Sequence, residues 1–287
     1  MGPLTVLVLG ATGRLAPLAP LLLNRGHRVL AATRDPAAPA ARRLGERGAE
    51  IVTADFDDAV SLQTAALRAD AIVAAGTAHV AGPVADVRHG RNIIDAAGAA
   101  GIRHLVYLTV AGADRPSGVP VMDSKHAVEQ YLRAAGVPHT VVAPVYFMDN
   151  VWNPWNSAAL AAGRLPSPVS RSRPLQQIPV ADVLAFTVHV LESRSTMLGE
   201  RIEIASDEIS AEQAAGIVAR LVGRAVEVAD PPARPVNPLF AWLERAGARV
   251  DIIALRSRYR QIPWHTFADW ASTQDWQRLQ AAASPSE

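Results

Sequence analysis

Up to about residue 150, short apolar runs alternate with longer stretches in which apolar residues recur at helical spacing. The runs are LTVLVLG, HRVLAAT, EIVTAD, DAIVAAG, HLVYLTV and PHTVVAP; the stretches between them cover 13–25, 37–47, 58–68, 86–100 and 123–135. Runs that are apolar at nearly every position predict strands covered on both faces, so the alternation predicts a parallel sheet wrapped by helices. The expected fold class is α/β, a doubly wound parallel sheet. In such a sheet ligands bind in a crevice at the carboxyl ends of the strands, so the loops after each strand are where chemistry is sought.

Beyond Asn150 the alternation stops. VWNPWN, RLPSPVSRSRPLQQIPV and ADPPARPVNP read as irregular or linking segments. Between them the pattern predicts a helix near 181–193, a strand GERIEIA, a helix over about 210–222 introduced by Ser210, a strand AVEVA and C-terminal helices. The expected division is a nucleotide-binding domain over 1–150 and a smaller α/β substrate or lid domain over 151–287, partly packed back on the sheet.

Composition narrows the function classes. A formal net charge of +1 and the absence of any basic run argue against nucleic acid or an anionic membrane as partner. With no cysteine there is no disulfide, thiol nucleophile or thiolate-held metal, and no His and carboxylate spacing suggests a metal site. MGPLTVLVLG lacks a basic leader and breaks at a glycine turn, and LAPLAPLLL is far shorter than the ~20 residues of a membrane span, so the expectation is a soluble, cytoplasmic protein. Of the 28 basic residues only Lys125 is a lysine. Where a generic positive charge was needed this chain uses arginine, which makes the single amine a candidate for chemistry.

LTVLVLGATGRLA places Gly10 and Gly13 between a predicted strand and helix, with Ala16 a turn later. Glycines there let the backbone approach a pyrophosphate, whose charge the amides and positive end of the helix stabilise. The spacing is G-x-x-G-x-x-A rather than G-x-G-x-x-G. The second strand ends in Thr33-Arg34-Asp35; Arg34 suits a 2′-phosphate and hence NADP, with Arg14 as a second cation, while the alternative has Asp35 on the ribose. Asp55 and Phe56 after the third strand suit an adenine, with helix capping by Asp57 or Asp58 as the structural alternative.

Together GATGRLA, TRDP, TADFDD, LTVAGAD, SKHAVEQYLRAAGVPHTVVAPVYFMDN and IPVADV resemble the NmrA-like branch of the atypical short-chain dehydrogenases/reductases, over nearly the whole chain. The resemblance implies a Rossmann domain of about 150 residues, NADP(H) as cofactor and a small C-terminal domain closing over a substrate. Carried over, it implies that Gly10, Thr12, Gly13, Arg14 and Leu15 hold the phosphates, Arg34 the 2′-phosphate, and Asp55 and Phe56 the adenine. It further implies Ala75, Gly76 and Thr77 near the pyrophosphate and ribose, Thr109 and Lys125 near the nicotinamide ribose, and Pro144, Tyr146 and Phe147 beside the nicotinamide. This chain departs from the wider superfamily in lacking a Tyr-x-x-x-Lys pair: Val121 stands four residues before Lys125. It also has Thr109 as the only hydroxyl in LTVAG, and Ala143 where an arginine is common.

With Asp123 as N-cap, Lys125 is expected in the first turn of its helix, where the dipole and burial both lower its pKa. Lys125, His126 and Thr109 are the candidate catalytic residues, with His79 as a further proton donor. Tyr146, Phe147, Met148, Trp152 and Trp155 suit the wall of an apolar or aromatic substrate pocket or, equally, packing between lid and sheet. Trp264, His265, Phe267 and Trp270 suit a pocket closure or a homodimer contact. The expected activity is an NADPH-dependent reduction of a small apolar or aromatic carbonyl, quinone, enone or delocalised cation. The alternatives are a non-catalytic NADP(H)-sensing regulator and an epimerase or isomerase with tightly held NAD.

Overall fold

The computed structural model describes residues 2–229 and 237–279. Most of the segment ADPPARPVNP therefore lies outside the described residues. The chain divides into two compact units, residues 1–143 with 184–203, and residues 144–183 with 204–287.

The first unit opens with the alternation the apolar runs predict. Its elements are β1 (Thr5–Val8), α1 (Leu18–Asn24), β2 (Arg28–Thr33), α2 (Pro39–Glu46), β3 (Glu50–Thr53), α3 (Ala59–Ala66), β4 (Ala71–Ala75), α4 (Ala78–Ala81), α5 (Pro83–Ala99), β5 (His104–Leu108), α6 (Pro120–Ala135) and β6 (His139–Pro144). After β7 (Tyr146–Phe147), α7 (Ser157–Ala161), β8 (Arg164–Leu165) and β9 (Leu175–Ile178), the chain continues through α8 (Val180–Glu192), α9 (Arg194–Met197) and β10 (Arg201–Ile204). The seven-stranded parallel sheet has the order β10-β6-β5-β4-β1-β2-β3. The strand GERIEIA, expected in the smaller domain, is thus an edge of the main sheet, fastened by the Val141 N–H to the Glu200 carbonyl at 2.9 Å.

Leu7, Leu9, Leu30, Ile72, Leu105 and Tyr107 are almost fully buried together with Ile93 and Leu132 of the covering helices, which is why these strands read as continuous apolar runs. β1 pairs with β2 on one side and β4 on the other. Strand order reverses at that point, so the loops after β1 and β4 border a ready-made crevice.

The second unit holds a three-stranded sheet, β7 with β9 and β11 (Asp207–Ile209), and a two-stranded one, β8 with β12 (Glu227–Val228). Its helices are α10 (Ala211–Val222), α11 (Pro238–Arg245), α12 (Ile252–Arg258) and α13 (Phe267–Ser272). Ser210 begins α10 as expected, through a capping box with Gln213. Met148, Phe267 and Trp270 are core residues here, and the Trp152 and Trp276 rings lie tilted to one another with centroids 5.1 Å apart. Trp155, by contrast, is exposed. Among the described residues no helix is long and apolar enough to cross a membrane.

Candidate active site in the first unit

The glycine turn is built differently from its expected form. The N–H of Leu9 donates to the Val73 carbonyl at 2.9 Å, holding the tip of β1 against β4, and Gly10 then adopts φ +81°, which only glycine takes without strain. The chain descends in tight turns, Gly13 N–H to Gly10 O, Ala16 N–H to Gly13 O and Leu18 N–H to Leu15 O, each 2.9–3.0 Å. The helix expected from residue 13 begins only at Leu18. Pro17 and Pro20 have no N–H to give to the carbonyls four residues before them, so regular helix cannot run through this stretch. The donors available to an anion are therefore loop amides rather than the end of a long helix. Among the described residues the amides of Ala11 and Thr12 have no protein acceptor. Thr12, Gly13 and Arg14 are exposed, while Leu15 is buried and anchors the turn. A loop of small residues with unspent N–H groups fits a pyrophosphate.

At the tip of β2, Arg34 is exposed and has no ion-pair partner among the described residues. The Asp35 carboxylate is occupied locally, accepting the Ala37 N–H at 2.9 Å, so the arginine is the freer group for a ligand phosphate. At the tip of β3, Asp55 accepts the Asp57 N–H at 3.0 Å, and Phe56 lies tilted against His89 with ring centroids 5.5 Å apart. Capping of α3 falls to Asp58, which accepts from Val60 and Ser61. Asp57 instead pairs with Arg88 at 2.7 Å and His89 at 3.1 Å.

The lysine lies at the centre of the arrangement. Asp123 does not cap its helix: α6 starts at Pro120, whose fixed φ suits a first helical position, and Asp123 accepts the N–H and Oγ–H of Ser117 at 2.7 and 2.9 Å. Lys125 is consequently the sixth residue of α6, past the first turn in which the dipole acts strongly. It does not project into water; it is 5% exposed, with its Nζ 3.6 Å from Oδ2 of the fully buried Asp86. Burial pushes the amine below the usual lysine range, and Asp86, then Glu129, work in the opposite direction.

Asp86, on α5, has its other contacts with the loop after β4. Its Oδ1 accepts the Thr77 and Ala78 N–H groups at 2.5 and 3.0 Å, and its Oδ2 accepts the Ser124 Oγ–H at 2.8 Å. Ala75 ends β4, and the Gly76 N–H donates to the Leu108 carbonyl at 3.2 Å, tying this loop to β5. A Cβ on Gly76 would overlap the Lys125 Nζ and approach Asp86 Oδ1 to 2.9 Å, so the absence of a side chain is what admits the amine. His89 extends the network by bridging Thr77 Oγ1 at 2.8 Å and Asp57.

Thr109 follows β5 and is 8% exposed, and its Oγ has no partner among the described residues. A buried hydroxyl left unmet is costly, which fits a group that a ligand satisfies. His126 is differently placed: Nδ1 faces the Ala113 carbonyl at 3.0 Å and Nε2 faces Gln130 at 2.9 Å, so both ring nitrogens are engaged by the protein. The His79 side chain is exposed, yet it titrates below the usual histidine range, first because surrounding protein disfavours charge and then because of Lys125 and Arg14. His79 thus senses the positive charges of Lys125 and Arg14, a local field of the kind an anionic ligand would relieve. In the second unit, Pro144 ends β6, and Tyr146 and Phe147 form β7; Tyr146 lines a small apolar pocket of that unit with Met148, Leu165, Val169, Gln177 and Phe267.

A family model described as the NmrA-like family matches residues 4–238. The chain belongs to the NmrA-like family. Among curated relatives, the (4-alkanoyl-5-oxo-2,5-dihydrofuran-3-yl)methyl phosphate reductase of Streptomyces griseus is 26% identical over 93% of this chain and 96% of its own. Among solved structures, the Escherichia coli NADPH-dependent quinone oxidoreductase QOR2, complexed with NADPH, superposes with a TM-score of 0.78 at 21% identity, covering 93% of this chain and 98% of that one. NmrA, a negative transcriptional regulator in complex with NADP, superposes with a TM-score of 0.76 at 17% identity, covering 96% and 100%.

In this NmrA-like protein the loops after β4 and β5 and the start of α6 bring together Gly76, Thr77 and Lys125 of the expected residues. They also bring in three that the motifs do not single out: Asp86, His89 and Ser124. The one sequence hint for the first two is the spacing Asp86-x-x-His89, which puts both on one face of α5.

Proposed function

We propose that the protein is an NAD(P)H-dependent oxidoreductase that prefers NADPH and reduces a small apolar or aromatic acceptor such as a quinone, enone or aromatic carbonyl. The observation that carries the reading is the Lys125–Asp86 pair, a buried amine at the carboxyl end of a doubly wound sheet, against Gly76 in the loop after β4. When bound, the dinucleotide supplies the hydride. On this reading Gly10, Thr12, Gly13, Arg14 and Leu15 form the pyrophosphate turn, Arg34 takes the 2′-phosphate, and Asp55 and Phe56 border the adenine. Ala75, Gly76 and Thr77 lie along the ribose side, while Thr109 and Lys125 hold hydroxyls of the nicotinamide ribose.

Lys125 also supports protonation of the reduced product, since a buried amine gives up its proton more readily than an exposed one. His126 fits a packing role better than proton transfer, because its ring nitrogens are both engaged. The reductase names of the Streptomyces and Escherichia relatives support the reading.

A second reading, an NADP(H)-sensing regulator without turnover, draws support from Val121, which stands where short-chain dehydrogenases commonly carry the catalytic tyrosine, and from the likeness to the NmrA regulator. Binding and oxidation of NADPH with a panel of quinones, enones and aromatic carbonyls, for wild type and Lys125→Ala, separates the two. Turnover that falls in Lys125→Ala supports the reductase. Tight NADPH binding without oxidation by any acceptor supports the sensor, and no NADPH binding overturns both.

A further inference from the structure

We propose that Asp86 is the positioning residue of this site: its carboxylate tethers the Lys125 head beside Gly76 and keeps it charged inside the protein. The inference rests on the reading of Lys125 as a cofactor-side group, but it concerns two side chains of the chain itself and can be tested without turnover.

A carboxylate with no exposed surface must have its charge and lone pairs met by the protein. Asp86 divides this work between its two oxygens. Oδ1 takes the Thr77 and Ala78 amides and so shapes the loop after β4. Oδ2 takes the Ser124 hydroxyl and faces the Lys125 ammonium. A purely structural brace would be complete with the first oxygen and the hydroxyl; the ammonium at 3.6 Å is the extra feature.

On the other side, Lys125 has three N–H donors, and Asp86 is its partner among the described residues. A tethered amine therefore keeps donors to spare for a ligand's hydroxyls. The groups facing Lys125 are Asp86 from α5, Glu129 from its own helix, His79 from α4 and, from the glycine turn by way of His79, Arg14. Asp86 is the nearest of them and the larger of the two groups that favour the charged amine, Glu129 being the smaller.

Gly76 makes the tether geometrically possible, because the amine occupies the space where any other residue would carry its Cβ. Thr77, whose amide is fixed by Asp86, also shares its hydroxyl with His89, which reaches Asp57 next to Phe56. The same carboxylate thus anchors both the amine and the loop that leads toward the expected adenine side.

The test exploits the single lysine: protein made with ¹³C,¹⁵N-lysine shows one lysine side-chain resonance, that of Lys125. Its pH titration in the protein without cofactor reads the charge on Nζ directly. In Asp86→Asn the side-chain oxygen can still accept the loop amides, but the attraction is gone while burial remains. The titration midpoint is expected about one pH unit lower or more. In Ser124→Ala the carboxylate keeps its charge and loses a competing donor, so the midpoint is expected to rise. This second variant decides the matter if Asp86→Asn does not fold. A midpoint unchanged from wild type in whichever of the two variants folds overturns the proposal. If NADPH is not oxidised at all, the reductase reading fails while the titration still decides the role of Asp86. If it is oxidised, the pH–rate profile of Asp86→Asn is expected to move in step with the resonance.

Discussion

Two carboxylates lie fully buried in the first unit, and each faces a cation, but the cations differ. Glu129 receives Arg201: Nε meets Oε2 at 2.8 Å, the guanidinium reaches Glu203 at 2.8 Å and the Val110 carbonyl at 3.3 Å, and Glu203 in turn accepts the Gly112 N–H at 2.7 Å. Asp86 receives Lys125 at 3.6 Å, with its remaining capacity taken by backbone amides and a hydroxyl. Burial disfavours both cations. For Arg201 the hydrogen bonds and charges of Glu129 and Glu203 prevail and raise its pKa further, whereas for Lys125 burial prevails and lowers it. The arginine is a permanent staple between α6, the loop after β5 and β10. The lysine is a charge left adjustable, which explains why a chain that otherwise uses arginine has an amine here.

The comparison breaks most visibly if the cation at 125 can be exchanged. Lys125→Arg keeps the charge but neither the compact head that fits beside Gly76 nor a proton that can be released near neutral pH. Its kcat is expected to fall by about 10²–10⁴-fold in NADPH oxidation assays, the range for a lost acid–base group. Activity near wild type would remove the distinction between the two pairs.

Removing the staple tests the other half. Glu129→Ala leaves Arg201 buried without its main counter-ion, and an expected loss of about 3–5 kcal/mol in unfolding free energy would be read by urea denaturation. The Lys125 titration should remain close to that of wild type, since Glu129 acts on the amine less than burial and Asp86 do.

His104 sharpens the contrast because it is a buried base with no carboxylate partner among the described residues. Its Nε2 bonds the Thr140 hydroxyl at 2.8 Å, and burial, followed by the charges of Arg194 and His139, pushes its pKa down to about 4. A histidine whose folded pKa lies below its unfolded value of 6.5 favours the fold when neutral. That contribution is present above pH 6.5 and is lost as pH falls toward 4, amounting to roughly 3 kcal/mol. His104→Gln is expected to flatten the pH dependence of urea stability in that window, and an unchanged slope would refute the assignment.

The smallest expected effect concerns Arg34, an exposed cation with no ion-pair partner among the described residues. Arg34→Ala should weaken NADPH binding about tenfold, roughly 1.4 kcal/mol, and leave NADH binding nearly unchanged in fluorescence titrations. Equal weakening of both would point to Arg34 acting elsewhere than at the 2′-phosphate.

Much of this arrangement was legible along the chain. The first six strands of the sheet appear as apolar runs because both of their faces are covered, and the glycine turn appears because Gly10 must take a positive φ. Lys125 stood out by its rarity. The starts of α1 and α6 differ from the pattern's expectation for local reasons: two prolines delay one helix, and a third, Pro120, opens the other early and frees Asp123 to brace a loop. The last strand of the sheet, β10, joins the main sheet and not the smaller domain that the pattern suggests, since a short edge strand with an alternating pattern carries no mark of the sheet it joins.

By itself, then, the sequence determined what depends on neighbours along the chain: the period of the apolar residues, the turn that needs glycine, and the chemical type of the one amine. Only the tertiary structure decided what that amine meets. Asp86 and Lys125 are 39 positions apart on two helices, and nothing in the spacing of either element reveals that they share a buried site. A charge in the interior is governed by whichever group lies within a few ångströms and by the water it has lost, and both are properties of the folded chain.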